Sequence, residues 1–93
     1  MQKWKPIELT QEQQDFVDMM TPELPKLIAR KAVSKVTGGI ISARALEKAD
    51  RAGNGPEIRY RTAAGIAYER TALLSWYVVR YAPKQLANIN CLI

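Results

Sequence analysis

The chain contains no histidine and a single cysteine, Cys91. Without histidine, neither a Ser–His nor a Cys–His nucleophile pair can be assembled, and Cys91, near an apolar C-terminal stretch, has no evident base to activate it. One cysteine forms no internal disulfide, and one cysteine without histidine builds no zinc site. No apolar run approaches the roughly 18 to 20 residues of a membrane-spanning helix. The opening Met1-Gln2-Lys3-Trp4-Lys5-Pro6 leads into polar residues and not into the apolar core of a leader peptide. The cytoplasm is therefore the expected compartment. The glycine clusters at 38–39 and 53–55 lack the Lys-Ser/Thr of a phosphate loop and the strand context of a dinucleotide site. Internal repeats and low-complexity tracts are missing as well. These gaps point away from an enzyme, and no catalytic set, cofactor, metal or small-molecule substrate is expected.

Acidic residues are the scarcer sign. Nine Asp and Glu stand against fourteen Lys and Arg, a formal net charge of +5 and a pI near 9.6. That balance suits a protein that meets a polyanion, although charge alone does not select nucleic acid, and position must decide. A length of 93 residues leaves room for one core. The hydrophobic share of 47% and charged share of 25% are those of a folded soluble chain.

Residues 1–9 carry Trp4 and Pro6 without periodicity and read as an irregular lead-in. Thr10 reads as an N-cap, and Gln11 to Met20 as a short polar helix with Phe16, Val17, Met19 and Met20 on one side. Pro22 and Pro25 interrupt it and set residues 1–25 apart as an N-terminal extension. Leu27 to Val36 alternates basic and apolar residues at helical spacing, with Ile28, Ala32, Val33 and Val36 on one face and Arg30, Lys31 and Lys35 turned away. Gly38 and Gly39 stop that helix. Ser42 then caps a second one through about Ala52, with Leu46 and Ala49 inward and Arg44, Glu47, Lys48 and Arg51 outward.

After Gly53-Asn54-Gly55-Pro56 the period changes to two. Ile58 and Tyr60 alternate with Arg59 and Arg61, and Ile66 to Tyr68 resumes the extended pattern after a turn near Ala63 to Gly65, which predicts a two-stranded hairpin. Helical spacing returns from Arg70 to Tyr81, where Leu73, Leu74, Trp76, Tyr77 and Val78 form the largest apolar cluster. Pro83 stops it, and residues 83–93, with Leu86, Ile89 and Leu92, read as a C-terminal tail, either fraying or a short docking segment.

Helix, glycine turn, helix, glycine-rich link, basic hairpin and helix is the outline of a helix-turn-helix with a wing over residues 26–82. The expected fold class is mainly α with a small β-hairpin. Arg44 and Lys48 lie one turn apart on the exposed side of the capped helix, where a major groove would meet them. Arg59 and Arg61 share one face of the hairpin and can reach phosphate together.

Residues 27–80 resemble the DNA-binding domain of phage excisionases and AlpA-like regulators, a group related to the MerR-type winged helix. The matching residues are Arg30-Lys31-Ala32, Thr37-Gly38-Gly39-Ile40-Ile41-Ser42, Arg44-Ala45-Leu46, Gly53-Asn54-Gly55-Pro56, and Tyr68 followed by Leu73 and Trp76. The resemblance implies duplex DNA as partner. It assigns Ser42, Arg44 and Lys48, with Arg51 at the helix end, to the groove and Arg59, Arg61 and Thr62 to the wing, with Arg30 and Lys31 of the first helix as weaker contacts. It further implies an excisionase-like role beside a recombinase or integrase, or beside a second copy on adjacent sites, or a small regulator's occupancy of a promoter. The wing tip departs from the family, because Thr62-Ala63-Ala64-Gly65 carries no basic residue.

Each assignment has a plainer competitor. Arg44, Lys48 and Arg51 also suit a solvated helix face. Glu47 can pair with Arg51 at i+4 or accept from a cytosine amino group. Arg59 and Arg61 can balance Glu57 and Glu69. Tyr60, Tyr68 and Trp76 fall in register with aliphatics and read as core. A rival function keeps the fold but grips a protein partner through Met19, Met20 and the apolar C-terminal residues, and Trp4 suits either a cover for the body or a partner contact.

Overall fold

The computed structural model describes residues 8–86. The chain forms α1 (Gln11–Met20), β1 (Leu27–Ala29), α2 (Val33–Val36), α3 (Ala43–Arg51), β2 (Arg59–Thr62), β3 (Gly65–Glu69) and α4 (Arg70–Tyr81), with short 3-10 turns at Thr21–Glu23 and Arg30–Ala32. It is a mixed α/β arrangement of four helices and a three-stranded antiparallel sheet in the order β1-β3-β2.

The Thr10 side chain accepts from the Gln13 N–H, and the Gln13 side chain reaches back to the Thr10 N–H, a complete capping box that starts α1. Pro22 and Pro25 end α1 without detaching it. Phe16 stacks on Tyr77 of α4 with ring centroids 5.8 Å apart, and Val17 and Leu24 enter the same core as Leu73, Leu74 and Val78. Arg70 fastens this region from the other end, donating its N–H to the Lys26 carbonyl and its Nη1 to the Leu24 carbonyl, at 3.0 and 2.8 Å.

The segment Leu27 to Val36 corrects the single helix expected there. Leu27, Ile28 and Ala29 pair with Glu69, Tyr68 and Ala67 as an edge strand, Arg30–Ala32 makes a 3-10 turn, and only Val33–Val36 is α-helical. Ile28 and Val33 are buried all the same. An apolar residue every few positions serves a strand followed by a turn as well as it serves a helix, and the partner strand lies far along the chain. The expected two-stranded hairpin is thus two thirds of a three-stranded sheet.

At the turn between α2 and α3, Gly38 and Gly39 take φ of 69° and 85°, where a side chain is strained. Thr37 closes the turn. Its hydroxyl donates to the Val33 carbonyl at 2.7 Å and accepts from the Ile41 N–H at 3.2 Å. Ile41 then enters the core, and Ser42 caps α3 by accepting from the Ala45 N–H at 3.0 Å.

Across the ladder Arg59 faces Tyr68 and Arg61 faces Ile66, while Tyr60 faces Ala67. Directly opposed residues share a sheet face, so Arg59 and Arg61 lie on the side that carries the buried Ile28 and Tyr68. Tyr60 is on the other side and is 53% exposed, which corrects its placement in the core. Tyr68 and Trp76 are buried as expected. Among the described residues no helix is long and apolar enough to cross a membrane.

Candidate nucleic-acid interface

The outer side of α3 follows from its inner side. Leu46 and Ala49 are buried, which turns Arg44, Lys48 and Arg51, at i, i+4 and i+7, to solvent as one stripe. Arg51 is engaged on that surface, with its Nη2 2.9 Å from Glu47 Oε2 in an exposed i, i+4 pair. Arg44 and Lys48 make no ion pair among the described residues. Nor do Lys31 and Lys35, both exposed, on the 3-10 turn and the short helix that precede the glycine turn.

The hairpin arginines part company. Arg59 Nη1 lies 3.0 Å from Asp50 Oδ1, so its partner is a carboxylate of α3 and not Glu57 or Glu69. Glu69 instead caps α4, accepting from the Ala72 N–H at 2.9 Å. Arg61 is exposed and makes no ion pair among the described residues. Thr62 is occupied by its own turn, donating to the Gly65 carbonyl at 2.8 Å and accepting from the Ala64 N–H at 3.1 Å.

Arg30 is spent inside the protein. Its Nη2 is 2.6 Å from Asp50 Oδ2, and its Nε donates to the Tyr68 hydroxyl at 3.0 Å. That hydroxyl in turn donates to Asp50 Oδ2 at 2.5 Å. The bond to Tyr68 is the main reason that the Arg30 guanidinium holds its proton more tightly than usual, against the opposing effect of burial. Burial, then the bond to Asp50, pushes the Tyr68 phenol up to about 12.

Of the nine residues expected to meet a ligand, the fold therefore engages Ser42, Thr62, Arg30, Arg59 and Arg51 in bonds of its own. It leaves Arg44, Lys48, Arg61 and Lys31 presented to solvent with no ion pair among the described residues. Lys35 joins that set. Asp50, which organises the paired half, went unread in the sequence. Its one signal is that it follows Ala49 and stands four residues after Leu46, on the buried side of α3, where a carboxylate needs cations.

The described residues also form concavities away from this surface. One, of about 400 Å³, lies between the Gly53–Glu57 link and α4, with Trp76 on its wall donating its indole N–H to the Asn54 carbonyl at 3.0 Å. The other, of about 360 Å³, is lined by Phe16, Met19 and Pro83 with Glu12 and Asp15. Met19 there is 60% exposed. Trp4, Cys91, Ile89 and Leu92 lie outside the described residues. Among the described residues no group of His, Cys, Asp and Glu is placed to hold a metal ion.

No family model, no curated protein and no solved structure matches the chain.

Proposed function

We propose that the chain binds duplex DNA as a small winged helix-turn-helix protein of the excisionase and MerR-like kind, with α3 in the major groove and the β2–β3 hairpin as its wing. The observation that carries this reading is the division of the basic residues. Arg44 and Lys48 stand exposed one turn apart on a capped helix, while nearby cations are tied down by Asp50 and Glu47. An α-helix is about 10 to 12 Å across with its side chains, which fits a major groove about 12 Å wide. Arg61 of the wing and Lys31 and Lys35 at the start of the motif supply phosphate contacts. Such a protein works where DNA is, in the cytoplasm of a bacterial or phage-infected cell. It bends or marks a site for a recombinase, for a second copy alongside or for a promoter.

Replacing Arg44 and Lys48 by Ala is expected to leave melting unchanged and to weaken binding to a duplex selected from a randomised pool. A bidentate arginine contact discriminates between bases by about 1 to 3 kcal/mol. Unchanged affinity in both variants would sink the groove assignment. The rival reading, a protein-binding module, draws on the exposed Met19 beside Phe16 and Pro83. Ionic strength separates the two, because duplex binding weakens steeply with salt and apolar docking does not.

A further inference from the structure

The carboxylate of Asp50 gathers one group from each of three places: Arg30 from the 3-10 turn ahead of α2, Tyr68 from β3 and Arg59 from β2. Its side chain is 10% exposed, whereas that of Arg59 is 46% exposed. Asp50 is also boxed in from the link that follows α3, since a β-carbon on Gly55 would overlap the Asp50 carboxylate. The carboxylate thus has little freedom to turn away on that side. Arg59 and Arg61 share one sheet face two residues apart, yet only Arg59 is held.

We infer that Asp50 is a positioning residue: it withdraws Arg59 from ligand contact, uses it to fix the hairpin against α3, and leaves Arg61 as the guanidinium with which the hairpin meets phosphate. The inference rests on the duplex-binding reading. It requires the two arginines, adjacent on one strand face, to have different signatures on substitution. A phosphate contact releases counterions and appears in the salt dependence of affinity, whereas a tie within the fold appears in melting and in how well the two reading elements are held together.

The test is a salt titration of the full chain, with Arg59→Ala, Arg59→Lys and Arg61→Ala beside the parent, on a labelled duplex of mixed sequence and on one selected by the parent from a randomised pool. Melting is recorded without DNA. Arg61→Ala is expected to lower the slope of log affinity against log salt by about 0.9 on both duplexes and to melt like the parent. Arg59→Ala is expected to keep the slope, to melt about 4 to 8 °C lower, and to narrow the preference for the selected duplex several-fold. Arg59→Lys, which can still pair with Asp50, is expected to restore both. Asp50→Asn, by freeing Arg59, raises the slope by about 0.9, and if that variant does not fold the arginine variants still decide. Equal losses of slope from Arg59→Ala and Arg61→Ala, or a parent-like melt for Arg59→Ala, overturn the inference while leaving duplex binding intact. A parent whose affinity for both duplexes does not change with salt overturns the duplex reading and this inference with it.

Discussion

Tyr68 is wholly buried, and its hydroxyl sits between a cation and an anion, accepting from Arg30 and donating to Asp50. Burial and the bond to Asp50 move its pKa from 10.0 to about 12. The folded value lies above the unfolded one, so folding favours the protonated phenol. The associated stability is complete below pH 10 and is lost as pH rises through about 12. Melting is expected to fall across that window in the parent, and much less in Tyr68→Phe, which carries no proton to lose. Identical alkaline profiles for the two would show that the phenol does not govern this limb. At the core, Leu46 and Trp76 are buried on α3 and α4. Each change to Ala costs about 2 to 5 kcal/mol, against a total of about 5 in a domain this small. Both variants are expected to melt far below the parent by circular dichroism, with unfolding at the upper end of that cost, and parent-like melts would displace these residues from the core.

Helix α3 depends on a hydroxyl. Ser42 accepts from the Ala45 N–H, and its loss in Ser42→Ala costs about 1 kcal/mol. Ser42→Asp keeps the cap and is expected to melt like the parent, yet it places a carboxylate where the duplex backbone would pass and lowers affinity. An Asp variant that binds as well as the parent would separate this helix start from the DNA. The elements legible in the sequence are those with local signals: the Thr10 and Ser42 caps, the glycine turn, the period of two around Ala63 to Gly65, and the apolar run of α4. Leu27 to Val36 was not legible, because β1 exists only through its pairing with β3. The alternation of Arg59, Tyr60 and Arg61 gave the period of β2 but not its phase. Tyr60 reads as core because it is largely apolar, while the ladder turns Arg59 and Arg61 to the core side and supplies Asp50 to receive one of them. The same gap hid the distinction between the two arginines, since ion pairs across elements leave no trace in spacing.

For the molecule as a whole, charge is sorted along the chain. Residues 8–23 hold Glu8, Glu12, Asp15, Asp18 and Glu23 and no Lys or Arg, and twelve of the fourteen Lys and Arg follow α1. The usable part of this positive charge is smaller than the composition suggests, because Arg30, Arg51 and Arg59 are paired. If Lys31, Lys35, Arg44, Lys48 and Arg61 are the groups that reach phosphate, the slope of log affinity against log salt cannot be steeper than about 4 to 5. A measured slope of about 7 or more would mean that cations beyond these five, paired or unpaired, also reach phosphate.

The strand order carries a last consequence, for how the chain reaches this state. β2 and β3 are neighbours in sequence and zip within microseconds, as hairpins do. β1 has β3 as its strand partner, so residues 30–66, with α2, the glycine turn and α3, are strung as a loop on the stem formed by Leu27–Ala29 against Ala67–Glu69. Closing so long a loop must be met in entropy before the stem rewards it. Asp50 holds Arg30 and Tyr68 together only once that stem has closed, because Arg30 follows β1 directly and Tyr68 belongs to β3. The cluster around Asp50 is therefore among the last parts of the molecule to be completed on folding and among the first to come apart when β1 peels away.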